Sequence, residues 1–126
     1  MNRTGISLVF FASAGYDGLL GAAFLLASGL VFDRFGVTPP NHAGYVHFPA
    51  ALLLVFAAMF AAIGVEPLRH RSLMPYGILL KLAYCGVVGY HWMTAGLPWM
   101  WKPFWVADFV FLLLFTWAWR SCRTSS

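Results

Sequence analysis

Charge is what this chain has least of. Only 10% of its 126 residues are Asp, Glu, Lys or Arg, and acids number four, whereas 61% are hydrophobic. That balance excludes an ordinary soluble domain, in which about a quarter of residues are charged, and leaves a membrane protein. The formal charge of +4 rests on few, scattered basic residues placed beside apolar runs, so no nucleic-acid partner is expected. Cysteine is scarce too. Cys85 and Cys122 form no C-x-x-C pair and are expected far apart along the membrane normal, which argues against quinone-linked thiol–disulfide catalysis. The inverted repeat and broken helices of secondary transporters are also lacking, so proton or ion transport is expected only of an oligomer.

Four apolar runs are present, each long enough to cross a bilayer, with short connections between them. They predict an all-α fold, a transmembrane four-helix bundle forming one membrane domain over 1–126, with helices over 6–32, 49–65, 76–93 and 104–119. The first run is too long for a signal-peptide core and reads as a retained, tilted helix. Arg3, Arg69, Arg71, Arg120 and Arg123 fall on one side, against Arg34 and Lys102 on the other. The positive-inside rule then places both termini in the cytoplasm, with a lipid bilayer as the surroundings. Trp92, Trp99, Trp101 and Trp105 crowd the second outer connection, as at a membrane interface. In the first outer connection, Pro39 and Pro40 exclude helix and residues 41–44 suit a turn. Pro49 then fits the first turn of the second helix, a scaffold without ionisable groups over 49–65.

Ionisable groups inside the runs carry the functional signal, since they are costly in hydrocarbon unless partnered or functional. On the third helix, Lys81, Tyr84 and His91 share a face at i, i+3 and i+10. On the first, Asp17 lies near mid-bilayer, within stripes of small residues that suit close helix approach. Depths of roughly 8 Å for Lys81 and 16 Å for Asp17, at ~1.5 Å per residue, can be closed by a lysine extending outward. One arrangement is therefore a buried Lys81–Asp17 pair, with Tyr84 hydrogen-bonding either. In the other, Lys81 snorkels to the interface and Asp17 is a neutral acid bonded to a backbone carbonyl. Nearer the outer end, Asp108 is expected to meet His91, an arrangement found in acid–base sites and in ordinary buried polar pairs alike. His42, His47 and His91 are weak candidates for a metal site, since their spacing matches no established motif. The residues leave any cofactor unknown, and bis-histidine haem ligation is disfavoured.

Three segments carry a family resemblance: FGVTPPNHAGYVHFPAALLL over 35–54, EPLRHRSLMPYGILLKLAY over 66–84 and GLPWMWKPFWVADFVF over 96–111. They resemble a widespread family of small bacterial four-helix membrane proteins, DoxX-like in size and layout, over about 16–119. The resemblance implies a four-helix inner-membrane bundle whose signature is Glu66-Pro67, Lys81 and Pro98-Trp99. It implies no settled activity. Links of DoxX-like proteins to quinone or thiol redox systems find no matching cysteine pair here.

The sequence thus predicts a small binding or accessory protein. Its buried polar network of Asp17, Lys81, Tyr84, His91 and Asp108, with Trp99 and Trp101 above, would hold a quinone or lipid. Docking to a larger membrane complex, or as a homo-oligomer, belongs to the same expectation. The alternative is a small membrane enzyme or redox partner using His91 and Asp108. Binding is favoured because the acid–base groups are spread through the membrane depth rather than converging on one reacting atom.

Overall fold

The computed structural model describes residues 3–38, 41, 42, 44–96 and 99–125. Four α-helices run through them: α1 Arg3–Phe35, α2 Gly44–Val65, α3 Met74–Thr94 and α4 Trp101–Ser125, with a short 3-10 turn, Arg71–Leu73, leading into α3. No strand occurs among the described residues. All four helices are long and apolar enough to cross a membrane. Large apolar side chains such as Leu19, Leu26 and Val55 point away from the bundle, as lipid contact requires.

Each helix is longer than its apolar run. Beyond the hydrocarbon stretch, capping decides where the backbone hydrogen bonds stop. At α2, His42 supplies the cap: its Nδ1 accepts from the Gly44 N–H at 2.9 Å and its carbonyl from the Tyr45 N–H at 3.1 Å. Residues 44–48, expected as connection, are therefore helical, and α2 includes the ionisable residues Tyr45 and His47. Pro49 stands not in the first turn but further in, where it withholds the usual helical donor from the Tyr45 carbonyl. Pro75 and Pro103 do occupy first turns, of α3 and α4. The expected course of Pro39 and Pro40, Ala43 of the expected turn, and Pro98 of the Pro-Trp signature lie outside the described residues.

α1 is kinked at Ala27, whose backbone leaves the helical region (φ −143°, ψ 35°) just before Ser28 and Gly29. Beyond the kink, Phe32 returns over Phe24, with ring centroids 5.8 Å apart.

Packing divides the chain into two hairpins. α1 lies along α2 and α3 along α4, while the hairpins meet over much less of their length. Within the first, Gly21 lets the backbones nearly touch: a Cβ there would sit 2.8 Å from the Ala50 carbonyl oxygen. Within the second, the Trp105 indole donates to the Cys85 carbonyl at 2.9 Å, and its ring covers Gly89. The hairpins join at the end bearing the N-terminus of α1 and the 66–73 corner. There Phe10 stacks on Phe115 at 4.6 Å, and Phe60 packs against Phe115 at 5.0 Å and close over Gly77. The Arg71 guanidinium locks the same end, donating twice to the Trp119 carbonyl (3.2 and 3.3 Å) above its indole. Beyond that end the hairpins part around a cavity and meet again where Trp101 stacks on Phe24 at 5.9 Å and Met100 is buried beside Phe32.

Candidate functional site

Three helices place one charged side chain each where the hairpins begin to part. Lys81 is the eighth residue of α3 and Asp108 the eighth of α4. Because these helices are antiparallel, the two residues start from opposite ends of the bundle, and the extended lysine closes the remaining distance. Its Nζ donates to Asp17 Oδ1 at 3.0 Å, Asp17 Oδ2 at 3.1 Å and Asp108 Oδ1 at 3.3 Å. The ammonium thus bridges the two carboxyl groups, facing both oxygens of Asp17 and one of Asp108. Asp17 and Lys81 are 1% exposed, and the Asp108 side chain 11%. Around the ammonium stand the rings of Tyr16, Phe60 and Phe111, each 5.3–5.6 Å from Nζ, a favourable placement for a buried cation.

Above this triad, between the parted hairpins, lies a cavity of about 690 Å³. Its volume is that of a small-molecule site. All four helices line it, and most of the wall is apolar: Leu20 and Phe24 of α1, Ala50 and Leu53 of α2, Leu80 of α3, Trp101 and Phe104 of α4. Polar groups concentrate at one end, where Asp17, Asp108, Tyr16 and Tyr84 contribute to the lining. The hydroxyls of Tyr16 and Tyr84 are buried with no hydrogen-bond partner among the described residues, a costly state for a polar group. Exposed lining residues, Thr38, Tyr45, Pro49 and Leu52, mark the mouth along α2.

The Lys81–Asp17 pair is present, and Lys81 does not snorkel. Tyr84 is adjacent but makes no hydrogen bond to either partner. The expected His91–Asp108 pair does not form. Asp108 faces inward to Lys81, whereas His91 is exposed and meets the Tyr90 ring edge-on at 5.5 Å. Ten residues along a helix amount to about 1000° of turn, which sets His91 roughly 80° round α3 from Lys81.

His42, His47 and His91 do not assemble. Among the described residues no three His, Cys, Asp or Glu side chains are grouped to hold a metal. Trp101 is in the cavity wall, stacked on Phe24 at 5.9 Å, while Trp99 is exposed against Phe35. Cys85 and Cys122 are both buried and free. Tyr16 was not singled out from the sequence. Its signal was adjacency: it directly precedes a buried acid on a helix otherwise made of small and apolar residues.

The chain matches no family model, no curated protein and no solved structure.

Proposed function

We propose that this protein binds an amphiphilic small molecule of the membrane, of the quinone or lipid kind, with its apolar body in the cavity and its polar head at the triad. The observation that carries the reading is the cavity's polarity. A wall of aromatic and aliphatic side chains ends in two unpartnered tyrosine hydroxyls and a carboxyl group that shares only one oxygen with Lys81. An isolated bundle has no need of such an end, since the hydroxyls alone forfeit hydrogen bonds that a ligand head would restore.

The arginines at the joined end support a bundle with both termini in the cytoplasm, and the setting read for it is a bacterial inner membrane. The likeness to DoxX-like proteins agrees with that setting and rests on the sequence segments alone.

Native mass spectrometry of protein gently solubilised from membranes tests the reading. The wild type is expected to retain a hydrophobic small molecule that Val46→Trp, which fills the wall beside the mouth, releases without loss of thermal stability. Wild-type protein that is bare, and that decylubiquinone and added lipid leave unshifted in thermal stability, would reject it.

A further inference from the structure

We infer that the head group taken at the triad is cationic, so that the cavity selects a lipophilic monocation over neutral or anionic amphiphiles. The inference rests on the amphiphile-binding reading and narrows its ligand class by charge and by hydrogen-bond supply.

The charge count comes first. Ionised, Asp17, Asp108 and Lys81 sum to −1, and all three are buried. Among the described residues no other Asp, Glu, Lys, Arg or His lines the cavity. An anionic head would therefore add a second uncompensated charge in a low-dielectric place, whereas a monocation brings the site to neutrality.

The hydrogen-bond supply points the same way. The Lys81 ammonium is turned to Asp17 and Asp108 and does not line the cavity, so the strongest donor nearby is not presented to an acceptor head. The two carboxyl groups are used unequally: Asp17 gives both oxygens to Lys81 and Asp108 gives Oδ1. What faces the cavity is acidic, Asp17 and Asp108, together with two hydroxyls that can also accept. Aromatic faces complete the surroundings, with Tyr16, Tyr84, Phe104 and Trp101 in the lining. Rings beside an acid form the usual environment for an organic cation, which gains from both.

A matched pair of probes separates charge from shape: tetraphenylphosphonium and tetraphenylborate, nearly identical in form and opposite in sign. Binding of each to the full chain in a neutral maltoside detergent, corrected against empty micelles by equilibrium dialysis, is compared with binding of neutral decylubiquinone. Saturable binding of about one tetraphenylphosphonium per chain, little tetraphenylborate, and at least about tenfold weaker cation binding in Asp108→Asn are expected, as loss of a desolvated charge partner requires. Phe104→Leu, which keeps all charges, is expected to weaken the cation as well, and serves if Asp108→Asn does not fold. Equal binding of the two ions, or cation affinity unchanged by Asp108→Asn, would overturn the inference. Decylubiquinone bound without any preference for the cation would also overturn it and leave amphiphile binding standing. Failure of all three probes would remove both.

Discussion

Lys81 holds apart two carboxyl groups that come from different helices and would otherwise face each other in a buried place. Truncating it should thus be worse than losing one ion pair. Lys81→Met is expected to cost about 3–5 kcal/mol in reversible unfolding in mixed micelles, because it strands buried acid without a counter-ion. Adding Asp17→Asn and Asp108→Asn to that variant is expected to restore much of the loss. Stability unaltered by Lys81→Met alone would mean the ammonium is not bonded as described. Counting 1.5 Å per residue along the apolar runs was enough to bring Asp17 and Lys81 within reach. Asp108 was misplaced by the same count. Its helix was expected to begin at residue 104, after Pro103, but proline is tolerated in a first turn, and α4 begins at Trp101. Three more residues lower Asp108 by roughly 4.5 Å relative to its helix start, away from the boundary and down to the triad.

At the scale of helices, contact between α1 and α2 depends on an absent side chain. Gly21→Ala puts a methyl group 2.8 Å from a backbone oxygen and 3.0 Å from the Leu53 Cβ, neither of which can turn aside. It is expected to cost about 1–3 kcal/mol by forcing the pair apart. Gly86→Ala, whose new methyl would meet nothing within 4 Å, is expected to be neutral or better in the same thermal scan. Equal melting temperatures for the two variants would contradict this packing. The four helices themselves were legible in the sequence, since length and hydropathy suffice to define a span. Their ends were not. The cap at α2 depends on a histidine ring folding back onto a glycine N–H, and the bend at Ala27 on the geometry of a small-residue stretch, neither of which a count of apolar residues registers.

For the whole molecule, orientation in the bilayer is the property most open to a direct check. Both native cysteines are buried, so background labelling will be low. Thr4 and Asn41 are exposed near opposite ends of the bundle. In right-side-out vesicles a membrane-impermeant maleimide is expected to modify Asn41→Cys and to spare Thr4→Cys until the membrane is permeabilised. Modification of Thr4→Cys from outside would reverse the assignment of the termini.

The division into two hairpins also bears on how the chain is made. Translated in order, α1 and α2 leave the ribosome first, and Asp17 then has no cation from its own hairpin to meet. α3 and α4 carry Lys81 and Asp108 together, so the later hairpin can cross into lipid with its charges already matched. Lodging a lone Asp or Lys mid-helix costs about 2.5–3.5 kcal/mol on the insertion scale. The early hairpin therefore waits with an unmet acid, and the arrival of Lys81 both relieves it and completes the cavity floor. The triad accordingly needs both hairpins, because Asp17 belongs to the first and Lys81 and Asp108 to the second.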